Sequence, residues 1–337
     1  VAEPIYRYKK HFVNLKDKSR SADYIIITNK LLSSSAGSYR KFISDTYNVK
    51  TELIYDEDIY DEFSYGQIDA NAIKNFLISA YESWGNPKPS YLTIIGDANY
   101  DYKNVTVSSQ MNQRKNLVMS FGFPVSDIWY VMWDNALTSV PQMYVGRIPA
   151  NNEEQVTFYM NKHLRYISRK YDKFNKTFLF FSGGNKTRQS ELQEIKNVND
   201  ELYKSYILSP PYFGSGTHFY KTISPQTNFG PYSNEEFQKI IDEGALFISY
   251  IGHSGTRTWD NGITEVEHLK NKYPDKFPLI TDFGCSTAKF AEPDIDAFGE
   301  LFICQSLDGQ AIAYLGNSSW GYLSTSLRFP KYFYENF

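Results

Sequence analysis

The sequence has no long apolar run, very little cysteine and no excess of positive charge. No run of about 18 apolar residues occurs, so the sequence predicts no membrane span. With 35 Lys and Arg against 38 Asp and Glu, the net charge is −3. That balance argues against a nucleic-acid-binding protein, because such proteins usually carry clustered basic residues. Glycine-rich phosphate loops are also missing after the predicted strands, so nucleotide binding has no support.

Only two cysteines occur, Cys285 and Cys304. This count excludes a disulfide framework, and neither cysteine stands at a metal-ligand spacing. Cys304 falls in the apolar segment AFGELFICQSL, whose spacing predicts a buried helix face. The two cysteines could pair with each other, so the redox compartment stays open.

The ends of the sequence carry no visible targeting signal. The chain begins at Val1 without methionine and stops at Phe337 inside a regular pattern. We therefore expect it to be part of a longer product.

Aromatic residues are abundant, with 28 Tyr and 24 Phe. Tyrosine combines an apolar ring with a polar hydroxyl, so a tyrosine-rich surface suits wide, wet grooves that hold extended ligands. A compositional bias of the genome explains the same counts equally well, and composition alone does not decide between the two.

Short apolar runs alternate with amphipathic segments through most of the chain, which is the pattern of largely parallel sheets covered by helices on both faces. The pattern runs through twice and is divided by the long segment 152–170, so we predict domains at 1–170 and 171–337. The predicted strands are 23–28, 50–55, 90–97, 127–133, 142–148, 177–183, 217–223, 245–252, 278–284 and 310–316. The predicted helices are 34–47, 70–83, 152–169, 190–206, 233–243, 264–272 and 296–306.

Ligands of open α/β sheets gather at the carboxyl ends of the strands. Four predicted strands end in residues suited to chemistry, at Asp97, His253, Cys285 and Asn317–Ser319. Three of these four belong to the second run of the pattern. The second run is therefore where we expect the functional site.

Two of these strand ends would bring an imidazole and a thiol together, because a loop, a helix and a return strand separate His253 from Cys285. An imidazole activates a thiol as a nucleophile. Gly284 would let a substrate backbone approach, and the backbone N–H groups of Ser254 and Cys285 are suited to an oxyanion hole. The alternative is a structural histidine beside a core cysteine.

The other candidates have less support. GHSG lacks the central serine of a nucleophile elbow, which argues against a serine hydrolase. The acidic run 55–63 is predicted as a solvated loop, and a metal site in GDANYDY, 96–102, is the weaker reading of that segment. Surface or capping roles suit the remaining histidines, which are His11, His163, His218 and His268.

The sequence resembles the gingipain-type cysteine peptidases of family C25, and within them most closely the PorU-like sortases of the type IX secretion system. The resemblance spans nearly the whole chain. It is carried by YLTIIGDANYDYK, SDIWYV, MYVGRIPA, SYIGHSGTRTW, PLITDFGCSTAKF and GQAIAYLGNSSWGY. It implies a caspase-like α/β fold, with mostly parallel sheets flanked by helices in two side-by-side subdomains.

The resemblance also implies roles for individual residues. Cys285 matches the nucleophile and His253 the catalytic histidine. The backbone N–H groups of Ser254 and Cys285 match the oxyanion hole. Asp282 matches an acid shortly before the nucleophile, and Trp259 matches a tryptophan of the S1 wall.

Two departures from the family pattern concern the catalytic centre. Ser254 replaces the glycine that usually follows the histidine, and its Cβ narrows the approach. In gingipains an acid near the end of the strand at 177–183 orients the histidine, whereas this chain has Ser-Gly-Gly at 182–184. We therefore predict a Cys–His dyad.

The S1 subsite is predicted from two competing sets of residues. The acid behind the arginine preference of gingipains would fall near the start of the helix at 190–206, where Glu191 and Glu194 are candidates. Arg257, close to the histidine, would instead favour a carboxylate-bearing group.

The predicted function is that of a cysteine endopeptidase acting through a thioester acyl-enzyme. Water resolves the thioester in a protease and an incoming amine resolves it in a sortase, and the sequence does not separate these outcomes. The alternatives are a degenerate family member that binds without cutting, and a non-proteolytic binding module in which Cys285 is a buried thiol.

The resemblance implies a setting as well. No cofactor is required and no metal is assigned, although structural calcium is common in relatives. The expected partners are a polypeptide substrate and a prodomain or secretion-system components, with no nucleic acid and no membrane span in this part of the chain. The expected location is secreted, in the periplasm, outer membrane or cell surface of a Bacteroidetes-type bacterium.

Overall fold

The computed structural model describes residues 9–103, 105, 116–133, 140–223 and 228–336. These residues divide into two compact units. The first unit comprises Val1–Ile95, Leu117–Phe121 and Ser126–Arg147, and the second comprises Gly96–Asn116, Gly122–Val125 and Ile148–Phe337. The long helix after residue 152, which divides the sequence pattern, belongs to the second unit.

The first unit is built around a four-stranded sheet. Its strands are β1 (Tyr24–Thr28), β2 (Thr51–Tyr55), β3 (Tyr91–Ile95) and β4 (Tyr144–Ile148), in the order β2–β1–β3–β4. Its helices are α1 (Ser33–Tyr47), α2 (Asp56–Phe63) and α3 (Ala70–Ser83). β1 is parallel to β2 and to β3, as the pattern predicts.

The second unit contains a five-stranded parallel sheet and a small hairpin. The strands are β5 (Thr177–Ser182), β6 (Ser215–Tyr220), β7 (Phe247–Ile251), β8 (Ser254–Gly255), β9 (Thr258–Trp259), β10 (Leu279–Asp282) and β11 (Ala313–Gly316). The large sheet has the order β11–β10–β7–β5–β6, and β8 pairs with β9 in the hairpin. The helices are α4 (Glu153–Ser168), α5 (Gln189–Leu202), α6 (Asn234–Glu243), α7 (Phe298–Glu300) and α8 (Leu323–Asn336).

The central strands of the second sheet explain why this sequence forms it. β7 reads FISYI and is buried at every position, and β5 reads TFLFFS and is buried at all but its first. Continuous apolar strands of this kind are typical of parallel sheets that are covered on both faces. Mostly parallel sheets flanked by helices confirm the predicted fold class. No helix in the described ranges has the length and apolar character needed to cross a membrane.

The predicted strand at 127–133 is wrong, because Asp127–Val131 forms a 3-10 helix. Arg147 donates hydrogen bonds to both carboxylate oxygens of Asp127, at 2.6 and 2.8 Å. The ring of Trp129 stacks on that of Phe121, with centroids 3.6 Å apart. A short apolar run does not distinguish a strand from a helical turn, and these tertiary contacts select the turn.

The acidic run predicted as a loop at 55–63 is instead the helix α2. Its first turn carries Asp56, Glu57 and Asp58, and acids at this position stabilise a helix through its macrodipole. Ile59 and Tyr60 are buried, so α2 also has an apolar face.

The predicted helix at 264–272 is reduced to a 3-10 turn, Val266–Leu269. The Nδ1 atom of His268 accepts hydrogen bonds from the backbone N–H groups of Thr264 and Glu265, at 3.2 and 3.4 Å. These bonds cap the N–H groups at the start of the turn and fix it as a single short turn.

Two other predicted helices change form near their ends. α5 continues as a π-helical turn over Tyr203–Ile207, and α7 continues as one over Leu301–Gln305. α8, which follows β11, is not among the predicted elements.

The π-helical turn after α7 is held by a buried lysine of α4. Lys162 is 2% exposed, and its Nζ lies within hydrogen-bond distance of four backbone carbonyls. The acceptors are Phe302, Ile303, Gly309 and Ala311, at 2.9, 2.7, 2.8 and 3.1 Å. Burial lowers the pKa of Lys162 to about 7. The Lys162 amino group thus supplies hydrogen-bond donors to this irregular stretch of chain, in which the Phe302 carbonyl also accepts the N–H of Ala311.

We expect Lys162→Met to destabilise the chain strongly. The substitution removes the Lys162 donor from the buried carbonyls of Ile303, Gly309 and Ala311, while that of Phe302 keeps the N–H of Ala311. Each buried carbonyl left unpaired costs about 1–3 kcal/mol. The free energy of unfolding, measured by urea denaturation followed by circular dichroism, should fall by about 3 kcal/mol or more. Lys170→Met, at an exposed position after the same helix, is the control. Equal urea midpoints for the two variants would contradict the role of Lys162.

Candidate active site

The two predicted catalytic residues leave the sheet side by side. β7 and β10 are neighbouring parallel strands in which Tyr250 stands opposite Asp282. The N–H of Phe283 extends this pairing by donating to the carbonyl of Tyr250, at 3.0 Å. His253 and Cys285 each follow three residues after the Tyr250–Asp282 pair, so they emerge at the same level of the same edge.

A direct hydrogen bond joins the two strand-end loops. The hydroxyl of Ser254, the residue after His253, donates to the backbone carbonyl of Cys285 at 2.9 Å. A Cβ built on Gly284 would overlap the Oγ of Ser254 and lie only 3.0 Å from its Cβ. Gly284 therefore makes room for the Ser254 side chain rather than for a substrate backbone, which corrects the predicted reason for this glycine.

The nucleophile loop is fixed on its other side by the segment that follows β11. The Nδ2 of Asn317 donates to the carbonyl of Gly284 at 2.7 Å, and the N–H of Ser286 donates to the carbonyl of Ser319 at 2.8 Å. The N–H of Gly321 points to the Sγ of Cys285, at 3.3 Å. The sulfur is thus held in place by backbone as well as by its own loop.

The Cys285 side chain is partly exposed and forms no disulfide bond. Among the residues that the structure describes, the backbone N–H of Cys285 has no hydrogen-bond acceptor. Because this N–H lies next to the sulfur and has no other acceptor, it can donate to the oxyanion that forms when the sulfur attacks a carbonyl. Cys304 differs in each respect, because it is 1% exposed and burial raises the pKa of its thiol well above the ordinary value.

His253 is oriented by an acid that the sequence analysis assigned elsewhere. Its side chain is 55% exposed, and its Nε2 lies 2.8 Å from Oε1 of Glu191. Glu191 is in the first turn of α5 and also accepts the N–H of Asn185, at 2.8 Å. A carboxylate accepts hydrogen bonds, so Nε2 carries the hydrogen and Nδ1 keeps a lone pair. Glu191, predicted as an S1 acid, thus lies against the imidazole.

The surroundings of Glu191 favour its ionised form. Burial by itself would raise the pKa of this carboxyl group. The N–H of Asn185, the imidazole of His253 and the guanidinium of Arg188 together outweigh burial, so the pKa of Glu191 lies below its ordinary value. The carboxylate that faces His253 is therefore negatively charged at neutral pH.

Asp282 is buried beneath the nucleophile loop and accepts hydrogen bonds from three sides. The donors are Nε1 of Trp259 at 2.6 Å, the hydroxyl of Tyr314 at 2.7 Å and the N–H of Gly284 at 2.8 Å. Burial raises the pKa of Asp282, and these donors partly offset the effect. Its contacts are those of a residue that positions the loop.

Trp259, predicted for the S1 wall, is 1% exposed. Its ring stacks on Tyr250 with centroids 4.3 Å apart and an interplanar angle of 3°. The hydroxyl of Tyr250 in turn donates to the carbonyl of His253. Trp259 therefore supports the histidine loop from below, and its S1 role stays a prediction.

The two other predicted specificity residues are exposed. Arg257 lies at the turn of the β8–β9 hairpin and forms no ion pair with any described residue. Glu194 lies one turn after Glu191 on α5 and is exposed, and the hydrogen bond to the imidazole comes from Glu191. The structure does not bring either side chain into contact with Cys285 or His253.

His218, predicted to have a surface or capping role, is instead part of a buried network. Its Nε2 is 2.8 Å from the Oγ of Ser182, and its Nδ1 is 2.8 Å from Oδ1 of Asp200. The Nδ2 of Asn199 donates to the same Ser182 hydroxyl at 2.8 Å. This network ties α5 to the ends of β5 and β6, and a strand position within THFYKTI was the signal that could have indicated burial.

A cavity of about 530 Å³ opens beside Cys285. Its lining comes from the hairpin after His253, from the nucleophile loop and from the segment after β11. The lining residues are Ser254, Gly255, Thr256, Cys285, Ser286, Lys289, Trp320, Gly321 and Tyr322. No group of three or more His, Cys, Asp or Glu residues that could hold a metal occurs in the described part of the chain.

A β-sheet that delivers a histidine and a partly exposed cysteine to one edge beside a cavity is the arrangement of a cysteine peptidase of caspase-like fold. The sequence profile of peptidase family C25 matches residues 17–337, and the chain belongs to this family. No protein of curated function matches the sequence.

Solved structures share the fold at low sequence identity. A structure described only as a protease has a TM-score of 0.64 with 18% identity and covers 90% of this chain. The Arg-specific cysteine proteinase gingipain R (RgpB) has a TM-score of 0.64 with 19% identity over 97% of this chain, and the complex of the Porphyromonas gingivalis RgpB pro- and mature domains gives 0.64 with 18% over 93%. This chain spans 61 to 68% of the length of those three chains. Dimeric latent PorU from the same organism matches 44% of this chain and 16% of its own, with 23% identity and a TM-score of 0.39.

We expect Gly284→Ala to destabilise the site and Ser254→Gly to relieve much of that effect. The added methyl group overlaps the Ser254 side chain, and overpacking of a tight site costs about 1–3 kcal/mol. Urea denaturation of the two single variants and the double variant gives the coupling energy between the two positions. Gly255→Ala, whose Cβ would meet nothing closer than 3.4 Å, is the matched control. Additive effects in the double variant would show that the two residues do not compete for space.

Proposed function

We propose that this chain is a cysteine endopeptidase in which Cys285 attacks the carbonyl carbon of a peptide bond. The observation that carries the proposal is the pairing of β7 with β10, which brings His253 and Cys285 to one edge, together with the Ser254–Cys285 hydrogen bond. The partly exposed thiol and the cavity beside it support access by a polypeptide.

The first half-reaction uses the two side chains in sequence. The thiol proton moves to the imidazole of His253, and the Sγ of Cys285 bonds to the carbonyl carbon. The resulting imidazolium then gives its proton to the leaving amine as the carbon–nitrogen bond breaks. A thioester acyl-enzyme and a free amine are the products.

Glu191 completes a Cys–His–Glu arrangement in place of the predicted dyad. Its carboxylate accepts the Nε2–H of His253, which leaves Nδ1 as the nitrogen that exchanges the proton with the thiol. A negative charge at this distance also stabilises the imidazolium. Glu191 is therefore proposed as a positioning residue that acts through His253.

The oxyanion of the tetrahedral intermediate needs donors that are free before the reaction begins. The N–H of Cys285 has no acceptor among the described residues, and the N–H of Ser254 belongs to the adjoining loop. We assign both to the oxyanion hole. Removal of one preorganised donor from such a site typically lowers the rate about hundredfold to thousandfold.

Two outcomes are open to the thioester. Attack by water regenerates the thiol and completes hydrolysis, whereas attack by an amine transfers the acyl group, as in a sortase. The resemblance to PorU-like sortases motivates the second outcome, with exported proteins as the acyl donors, and both outcomes belong to this proposal. The proposed location is the periplasm, outer membrane or cell surface. The proposal also includes a prodomain as a partner, since RgpB forms a complex with its own, and structural calcium.

Reaction with a peptidyl acyloxymethyl ketone tests the nucleophile. The sulfur displaces the carboxylate leaving group and forms a stable thioether, so intact-mass spectrometry should show one label per native chain, at Cys285. Cys285→Ala should lose the label, and Cys304→Ala should keep it because Cys304 is buried. Labelling of Cys285 no faster than in urea-unfolded protein would instead support a domain that binds without cutting, the alternative motivated by Ser254.

Glu191→Gln should slow this labelling about tenfold, since a neutral amide stabilises the imidazolium less than a carboxylate does. A pH series separates positioning from simple loss of structure. Because the pKa of Glu191 in the fold lies below its ordinary value of 4.5, the ionised carboxylate stabilises the native state above that value. That contribution is lost as the pH falls through the lowered pKa.

The unfolding free energy of the wild type should therefore fall more steeply below about pH 4.5 than that of Glu191→Gln. Glu194→Gln removes an acid of the same helix that does not contact His253, so it should follow the wild type in both labelling rate and pH dependence. A Glu194→Gln variant as slow as Glu191→Gln would assign the effect to the helix and not to the imidazole.

A further inference from the structure

A second acid lies behind the loop that carries His253. Asp260 directly follows β9, and its backbone N–H donates to the carbonyl of His253 at 3.0 Å. Its carboxylate accepts the N–H of Gly184, at 3.0 Å to Oδ2. Gly184 belongs to the loop that follows β5. Asp260 therefore connects the histidine loop to a second strand-end loop through a single residue.

The carboxylate of Asp260 occupies a space that a glycine leaves open. A Cβ built on Gly183 would overlap Oδ1 of Asp260. The hydroxyl of Tyr250 lies beside the same group, 2.8 Å from Oδ1, and also contacts the His253 carbonyl. A side chain at position 183 would therefore displace the carboxylate from its place between the two loops.

Lys221 contacts both the Asp260 carboxylate and the residue that this carboxylate binds. The Lys221 side chain is only 6% exposed, and its Nζ lies 3.3 Å from Oδ2 of Asp260. The same Nζ donates to the carbonyl of Gly184 at 2.8 Å. Gly184 is thus fixed twice, because Asp260 accepts its N–H and Lys221 donates to its carbonyl. Removing one partner of such a buried ion pair is strongly unfavourable, because the other charge stays behind.

These contacts close a ring that begins and ends at His253. Gly184 is followed by Asn185, whose N–H donates to Oε1 of Glu191 at 2.8 Å. The same Oε1 lies 2.8 Å from Nε2 of His253. The ring therefore joins the backbone of His253 to its own imidazole, by way of Asp260, Gly184, Asn185 and Glu191. The place of the Glu191 carboxylate against the imidazole depends on where Asp260 holds Gly184.

We propose that Asp260, paired with Lys221, is a positioning residue for the contact between Glu191 and His253. Its carboxylate forms no hydrogen bond with the thiol or the imidazole among the described residues, so it acts through the loop at 183–185. Without this carboxylate, Gly184 loses its acceptor and the adjoining N–H of Asn185 is no longer held against Glu191. This inference rests on the proposed function and adds a residue on which the orientation of the proposed histidine depends.

Two variants test this role, Asp260→Asn and the double substitution of Lys221→Met with Asp260→Asn. The single variant leaves the Lys221 charge without its partner, which is strongly destabilising. The double variant removes both charges, so it tests the proposal where the single variant does not fold. Folded variants should label Cys285 with the acyloxymethyl ketone about tenfold more slowly than the wild type, on the order of one hydrogen bond to a charged group. A wild-type rate in the folded double variant would overturn the proposal.

A double-mutant cycle with Glu191→Ala separates positioning from a general loss of structure. Glu191→Ala removes the acceptor of the imidazole, so the Asp260 substitution should slow labelling in that background by less than about twofold. Additive effects of the two substitutions on the labelling rate would contradict action through Glu191.

Asp127→Asn is the matched control, because it breaks a comparable ion pair in the first unit. There the Arg147 side chain is 5% exposed, and its Nε lies 2.6 Å from Oδ2 of Asp127. Asp127→Asn should lower the urea midpoint and keep the wild-type labelling rate under conditions in which it is folded. Labelling as slow as in the Asp260 variants would assign the effect to stability and overturn the proposal.

The imidazole provides a readout that does not require catalysis. Because Glu191 accepts from Nε2, the neutral ring of His253 should carry its hydrogen on that atom. Spectra of ¹⁵N-histidine-labelled protein report this tautomer through the separate shifts of the two ring nitrogens. The folded Asp260 variants should move both shifts toward those of free histidine, and unchanged shifts would overturn the proposal.

Failure of this inference is distinct from failure of the proposed function. Wild-type protein that unfolds cooperatively but is not labelled at Cys285 removes the proposed nucleophile, and the nitrogen shifts of His253 then still decide the role of Asp260. Labelling of Cys285 at equal rates in the wild type and in the folded Asp260 variants leaves the nucleophile in place and removes only the positioning residue.

Discussion

β7 and β10 are paired so that Tyr250 stands opposite Asp282, and this register sets the level at which His253 and Cys285 leave the sheet. Each residue of a strand advances the chain by about 3.3 Å and turns the side chain to the opposite face. A slip of one residue would therefore move the thiol by that distance and exchange the buried carboxylate of Asp282 for a neighbour. The relative position of the two candidate catalytic residues is therefore set by the backbone pairing of β7 and β10.

The sheet alone would still leave two flexible loops, and buried polar contacts remove that freedom. Asp282 gathers Trp259, Tyr314 and the N–H of Gly284, so the loop that bears Cys285 starts from a fixed point. On the histidine side, Tyr250 stacks on Trp259 and donates to the carbonyl of His253. Burial of Asp282 raises its pKa and opposes its ionisation. The site is thus held by groups whose burial is unfavourable unless every donor is present, which is a general property of buried polar networks.

The sequence was sufficient to find the strands of the two larger sheets and to single out the residues that follow two of them, because both depend on local pattern. Apolar runs such as FISYI and LITD alternate with helical segments, which favours parallel strands, and the residues after neighbouring parallel strands lie at one edge. Contacts that depend on long-range packing could not be read in this way. The contact of Glu191 with His253 depends on how α5 enters the fold, 62 positions away in sequence. Gly284 was correctly singled out, yet its reason is the Ser254 side chain, which only the structure brings there.

The wrongly predicted elements also result from long-range contacts that the local sequence pattern does not show. The run at 127–131 is as apolar as a strand, and only the distant Arg147 and the stacking on Phe121 select a helical turn. His218 looks polar in sequence, but its position within β6 places it inside the sheet, where Ser182 and Asp200 satisfy both nitrogens. Polarity of a residue type is therefore a weak guide to exposure when partners of complementary type lie on neighbouring elements.

The two oxygens of Glu191 have separate partners, and this division keeps the imidazole oriented. Oε1 lies 2.8 Å from Nε2 of His253 and accepts the N–H of Asn185 at 2.8 Å, whereas Oε2 lies 3.5 Å from the guanidinium of Arg188. A carboxylate accepts at both oxygens, so a cation at Oε2 does not displace the imidazole from Oε1. The Arg188 side chain is 68% exposed, so its charge is screened by water and its ion pair with Glu191 is weak. The orientation of His253 therefore depends on the two hydrogen bonds at Oε1 and not on this ion pair.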